Sequence, residues 1–300
     1  MFTRLWKWLH PVQAEQEQAE PAPALSPERQ SDRRRRLTGV PYLLPKDLDE
    51  INRLDFQHYV LRLALGRLTF APIEEQLRHG GQVLDVGCGS GRWAIEIARL
   101  YPLTQVTGLD LEQVKATTSP PNYRFVQGNI LEGLPFADST FLYTHQRFLV
   151  AALPLERWPW VVQELYRVTA PGGWIELIEL GAETRNAGPG LQQLIAWGRQ
   201  AAAMRGIDGT QMNRLSQWLQ QAGCRQILSH TLWLPVGAWA GRLGLLFIRD
   251  LVAGFSGLEA PVTSICGLSP EHFRQTIAAL EQECDQHRTQ YACYLAAGQR

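Results

Sequence analysis

The chain has 300 residues, enough to bury a substantial core in one large domain or one domain with an appendage. Hydrophobic residues make up 45% and charged residues 19%, and 29 Lys and Arg balance 29 Asp and Glu. The composition is that of an ordinary globular protein, and the balance excludes a global field drawing it to nucleic acid or to anionic membranes. Five cysteines, at 88, 224, 266, 284 and 293, form no C-x-x-C pair, which points to reduced, buried thiols rather than a disulfide framework or a metal site.

In chain order, Met1 to His10 carries Trp6, Trp8 and Leu9 but no long apolar run. No secretory signal is read there, and a cytoplasmic location is expected. With Phe2 and Leu5 the stretch reads as a short interfacial anchor or as an ordinary terminus. Residues 1–36 are expected to be disordered, since 11–36 is rich in Gln, Glu, Pro and Ala and ends in Arg33-Arg34-Arg35-Arg36. The arginines suit a solvated linker, or a contact with phosphate or lipid. Residues 37–80 read as a helical cap. Asp47 can cap a helix over 47–70, with Ile51, Leu54, Tyr59, Leu63 and Leu65 as its apolar stripe.

From 81 to 300 the pattern is α/β. Strands are expected at 82–86, 105–109, 123–127, 139–145 and 173–180, with helices at 91–100 and 155–169 between some of them. Ala170-Pro171-Gly172-Gly173 stops the second helix and turns the chain into the next strand. This alternation predicts a Rossmann-like, doubly wound, mostly parallel sheet with helices on both faces. Leu191, Leu194, Ile195 and Met204 mark one later helix, and Met212, Leu215, Trp218 and Leu219 another. A strand at 225–234, an amphipathic helix at 239–256, a helix at 269–286 and a last strand at 289–297 follow. Arg242, Arg249 and Asp250 interrupt the apolar stretch 236–255, which argues against a membrane span.

The chemistry is concentrated at Val83-Leu84-Asp85-Val86-Gly87-Cys88-Gly89-Ser90-Gly91. A buried strand, a glycine turn and a helix bring bare backbone against a nucleotide-like ligand. The spacing is G-x-G-x-G, where a dinucleotide fingerprint has G-x-G-x-x-G. Asp85, two places before the first glycine, suits a cationic ligand better than a pyrophosphate. Asp110 ends the second strand, where a carboxylate accepts from ribose hydroxyls or caps a turn. Asn129, in Gln127-Gly128-Asn129-Ile130, has an amide oxygen for an adenine amino group or for neighbouring backbone. The fourth strand runs through Tyr143-Thr144-His145-Gln146-Arg147, and His145 and Gln146 are expected to border the ligand crevice.

These motifs, with Leu134-Pro135-Phe136-Ala137-Asp138 and Pro171-Gly172-Gly173-Trp174, resemble the class I S-adenosylmethionine-dependent methyltransferases over about 81–180. Tyr42-Leu43-Leu44-Pro45, Arg53-Leu54-Asp55-Phe56 and Leu234-Pro235-Val236-Gly237-Ala238-Trp239 add a finer resemblance to the LaeA-type members, which are linked to secondary metabolism. The resemblance implies S-adenosylmethionine as cofactor and a seven-stranded sheet whose last strand is antiparallel. The cofactor-binding residues implied are Tyr42, Asp85, Gly87, Cys88, Gly89, Gly91, Asp110, Leu111, Asn129, Ile130, His145 and Gln146. Two departures stand out: Asn129 replaces the family's usual Asp, and Leu142 replaces an Asp after Phe141.

Methyl transfer needs alignment above all, and positioning alone supplies up to ~7–11 kcal/mol. A general base adds about 10²–10⁴-fold where the acceptor must lose a proton, and His145 and His58 are the candidates. The cap and a helical insertion at about 185–275 are expected to form the acceptor pocket. Trp197, Trp218, Trp233, Trp239 and Phe255 either line it, implying a small apolar or aromatic acceptor, or belong to the core. Nucleic-acid methylation is disfavoured by the missing Asn/Asp-Pro-Pro-aromatic and Pro-Cys motifs and by the absence of a basic face. The other readings are a non-catalytic or regulatory S-adenosylmethionine-binding protein, and a protein methyltransferase.

Overall fold

The computed structural model describes residues 44, 48–112 and 119–300. The expected disordered segment 1–36 and Tyr42 lie outside the described residues. The cap contains helices α1 (Leu48–Leu65) and α2 (Glu74–Arg78). The buried face of α1 is set by Arg53, Phe56, Val60 and Leu61, while Leu63 of the expected stripe is 41% exposed. The i, i+3, i+4 spacing therefore holds, with a different set of residues inward.

The core alternates β1 (Gly81–Val86), α3 (Arg92–Leu100), β2 (Thr104–Asp110), β3 (Tyr123–Gln127), β4 (Phe141–Arg147), α4 (Trp158–Val168) and β5 (Thr169–Arg185). After α5 (Pro189–Ala203) and α6 (Leu215–Gln221) comes β6 (Arg225–Pro235). A helical stretch follows: α7 (Gly241–Gly257), α8 (Glu259–Cys266), α9 (Pro270–Ala278) and α10 (Leu280–His287). The chain then returns as β7 (Gln290–Gln299). Helices α9 and α10 replace the single helix expected at 269–286, meeting at Ala279.

The seven strands form one mixed sheet in the order β3-β2-β1-β4-β5-β7-β6. Strands β1 to β5 are parallel neighbours, and β7 runs antiparallel between β5 and β6. The Ala170–Gly173 turn lies within the first residues of β5, where Gly172 has φ +81° and the register with β4 slips. Alternation along β1 sends Val83 to one face, against Trp93 and Ile97 of α3, and Leu84 to the other, against Trp158 and Leu165 of α4. A third apolar cluster joins α1, α5, α7 and α9 with Ile178, Leu234 and Leu295 of the sheet, with Phe56, Leu194, Phe247 and Phe273 among its buried members. Helical material from 185 to 275 thus stands on both sides of β6. Among the described residues no helix is long and apolar enough to cross a membrane.

Candidate functional site

At the C-terminal end of β1 the glycine turn takes left-handed backbone at Gly87 (φ +67°), Gly89 (φ +54°) and Gly91 (φ +75°), a region that side chains disfavour. Gly87 and Cys88 donate their N–H groups to the carbonyl of Leu109, at 2.8 and 3.0 Å. Gly89 donates to Asp110 Oδ2 at 2.8 Å, so the carboxylate at the end of β2 is tied to the turn. A Cβ on Gly87 would lie 2.5 Å from Leu149 Cδ2, so glycine is needed here for space as well as for φ.

This turn forms one wall of a cavity of about 120 Å³. Gly87, Cys88, Gly89, Asp110, Leu111, Asn129 and Ile130 line it, together with Arg147 and Leu149 after β4 and Leu54 and Gln57 of α1. Bare backbone, a carboxylate at the second strand end and apolar side chains at the third fit a cationic nucleoside such as S-adenosylmethionine. Asn129 opens the short 3₁₀ turn Ile130–Glu132: its Oδ1 accepts from Leu131 N at 3.0 Å and its Nδ2 donates to Glu132 at 2.9 Å. Gly91 sits behind the cavity wall as the left-handed residue opening α3.

Asp85, His145, Gln146 and His58, like Gly91, are not on this lining. Asp85 is 2% exposed, and its Oδ1 pairs with Nδ1 of His145 at 2.8 Å. His145 is fully buried and stacks on Trp93, ring centroids 3.7 Å apart at 9°. Strand alternation explains both positions, because Asp85 shares the α3 face with Val83. Gln146 is buried in β4 against Glu179. The cause in β4 is register. Ser139 (φ +58°) and the Thr140 Oγ1 bond to Ala137 O close a turn, so the strand begins at Phe141 and ends at Arg147. His145 is then interior, and Arg147 takes the strand end that sequence pattern gave to His145 and Gln146.

His58 is buried between α1 and α3. Its Nε2 lies 2.7 Å from Glu96 Oε2, and Arg147 donates to its Nδ1 at 3.0 Å. Burial pushes its pKa down to about 4, so the ring is neutral, with Nε2 as donor and Nδ1 as acceptor. Burial alone would raise the Glu96 pKa, but the bonds from His58 and Arg62 outweigh it and hold the carboxyl at about 2. With both ring nitrogens engaged, His58 has no lone pair for a substrate proton.

A second cavity, of about 240 Å³ and open to solvent, adjoins the first. Leu54, Gln57 and Phe148 line both. Its further walls are apolar residues of α5 and α7, including Ile195, Leu251 and Phe255, with Arg53 and Asp250 as a buried ion pair at 3.0 Å. Phe255 is the one expected aromatic on this lining. Trp197 is core, Trp218 stacks on Trp158 on the other face of the sheet, Trp233 lies under Arg185, and Trp239 is 37% exposed. Both cavities are shaped by the loop after β4, where Phe148 takes φ +55°. Glu179 of β5 holds that loop, accepting from Leu149 N at 2.9 Å and Val150 N at 3.0 Å. Sequence reading missed Leu54, Gln57 and Phe148; the signal available was position, on the cap helix and just past a strand end.

A methyltransferase domain profile matches residues 83–173. The secondary metabolism regulator LAE1 of Cochliobolus heterostrophus is 30% identical over 239 residues, covering 75% of this chain and 77% of that protein. The methyltransferase pytC of Aspergillus terreus is 27% identical over 245 residues, covering 77% of this chain and 74% of that protein. Among solved structures, an S-adenosylmethionine-dependent methyltransferase from Archaeoglobus fulgidus shares the fold. Its TM-score is 0.52 at 13% identity, over 85% of this chain and 100% of that one.

Proposed function

Because this chain belongs to the class I S-adenosylmethionine-dependent methyltransferases, with LaeA-type proteins among its relatives, we propose that it methylates a small apolar molecule held in the second cavity. The observation that carries this reading is the shared wall of Leu54, Gln57 and Phe148, which makes the two cavities neighbours. The cofactor supplies an electrophilic methyl group. This chain's residues hold the two reactants in line and keep them dry.

Asp110 accepts from the ribose hydroxyls, and Asn129 with the backbone of Ile130 meets the adenine edge. The glycine turn lets the backbone approach. Neither histidine serves as base, since His58 is engaged at both nitrogens and His145 is sealed beneath Trp93. Catalysis then rests on positioning, and the acceptor's proton passes to water.

Calorimetry with S-adenosylhomocysteine, the demethylated cofactor, tests the first half. Asp110→Ala is expected to weaken binding about ten- to a hundredfold, the loss of hydrogen bonds to a charged group. Methyl-labelled S-adenosylmethionine, incubated with small-molecule and polypeptide extracts, tests the second half. Label on a small molecule supports the proposal, and label on a polypeptide favours a protein methyltransferase. Binding without any transfer favours a regulatory cofactor-binding protein, the reading suggested by the LAE1 relative's description as a regulator.

A further inference from the structure

We propose that Gln57 positions the reacting group of the acceptor, and that this acceptor is a neutral, apolar molecule presenting an O–H or N–H to Gln57 Oε1. This rests on the second cavity being the acceptor site. Gln57 is the polar member of the three residues common to both cavities. Its Nε2 donates to Asp250 Oδ2 at 3.1 Å, and Asp250 Oδ1 accepts from Arg53 at 3.0 Å. Arg53 and Asp250 are 6% and 2% exposed, so the anchor is buried.

A carboxylate only accepts, so Asp250 fixes which end of the amide faces it. The outcome is an oriented carbonyl oxygen at the junction, and among the described residues nothing donates to it. Such an oxygen favours a donor and rejects a carboxylate, whose oxygens would meet it with no proton between them. Around it the walls are Phe148, Leu180, Ile195, Leu251 and Phe255, which favour an apolar body. The Arg53 guanidinium is engaged by Asp250, and Arg199, also on the lining, is exposed.

In the transfer, a lone pair on the acceptor oxygen or nitrogen attacks the methyl carbon. The new O–C or N–C bond forms as the C–S bond breaks, and its electron pair goes to sulfur, leaving a neutral thioether. The acceptor's proton leaves to water through the open mouth of the cavity. Gln57 holds the nucleophile in line and takes no proton.

The test is calorimetry on the full chain saturated with S-adenosylhomocysteine, with naphthol, methylnaphthalene and naphthoate as matched probes. Naphthol is expected to bind at least fivefold more tightly than methylnaphthalene and tenfold more tightly than naphthoate. Gln57→Leu, similar in size, is expected to weaken naphthol about five- to tenfold, leave methylnaphthalene unchanged and leave S-adenosylhomocysteine within twofold. Naphthoate binding as tightly as naphthol, as Arg199 would favour, overturns the proposal. So does an unaltered naphthol affinity in Gln57→Leu, or an effect confined to S-adenosylhomocysteine. Leu251→Trp, which fills the cavity, separates the two levels. If it weakens all three probes while Gln57→Leu is silent, the role of Gln57 alone fails. If it weakens none, or no probe binds the unmutated protein, the acceptor cavity fails with it.

Discussion

His58 joins the cap to the core with a neutral ring, and that has a consequence for acid stability. In the unfolded chain its pKa is about 6.5, whereas burial holds it at about 4 in the fold. The folded-state value is depressed, so the unfolded chain takes up the proton first. The stability this site provides is complete above about pH 6.5 and is lost as pH falls toward 4, by about 1.4 kcal/mol per pH unit. His58→Gln, which keeps a neutral polar group there, is expected to remove that dependence. Urea unfolding of both proteins from pH 7 to pH 4 measures it as a converging difference in stability. At this scale the sequence was legible where local backbone decides. Asp110, Asn129, Gly87 and Gly89 reach the cavity because a strand end and its turn place them there. Asp85, His145 and His58 were not legible, because Trp93, Glu96 and Arg147 come to them from other elements.

Between elements, the buried Arg53–Asp250 ion pair ties the cap to α7 in an apolar setting. Removing one member of a buried ion pair destabilises by about 3–5 kcal/mol. Asp250→Ala is therefore expected to lower the unfolding free energy by that amount. Arg53→Met combined with Asp250→Leu should recover most of it, and a double-mutant cycle by chemical denaturation reads both. The expected strands and helices match the observed ones closely where a motif fixes their ends, as in β1 with its glycine turn. They drift where a turn must be sensed from a distance. The start of β4 moved by two residues because Ser139 takes a left-handed conformation, and that shift exchanged His145 for Arg147 at the mouth of the site. The inward face of α1 likewise depended on what packs against it, since Phe56, Val60 and Leu61 belong to an apolar cluster with α5 and α7, elements far away in sequence.

For the molecule as a whole, β7 is the keystone of one half of the sheet. It supplies both partners' ladders, pairing Trp174–Leu180 on one side and Leu228–Pro235 on the other. Its residues Tyr291 to Gly298 are buried nearly without exception, and a Cβ on Gly298 would lie 2.8 Å from that of Cys224. Deleting residues 290–299 is expected to abolish the cooperative unfolding transition rather than trim an edge, because β6 would lose its neighbour and β5 would become an open edge. Far-UV circular dichroism on heating distinguishes a sharp transition from a gradual one. The parallel, doubly wound half of this architecture was legible from alternation alone. The helical block between β6 and β7 was legible as helices at 239–256 and 269–286, but its packing was not, because its partners on α1, α5 and the sheet lie far away in sequence.

The placement of β7 also bears on how the chain is made. Trp174 on β5 pairs with Gln299, so that ladder cannot close until residue 299 has left the ribosome. Until then β5 has one open edge and β6 has no partner strand. Ordering a ladder across so long a stretch is slow, because the entropy of closing the loop comes before any contact rewards it. Helices α2 and α3 and the first parallel strands have no such dependence and can assemble on the nascent chain, whereas α1 waits for α7. The first cavity is thus lined by residues synthesised before β5, whereas the second cavity waits on Tyr291 of β7. A nascent protein of this design passes through an interval in which it has a nucleoside seat and two sticky sheet edges, an interval in which chaperone capture matters most.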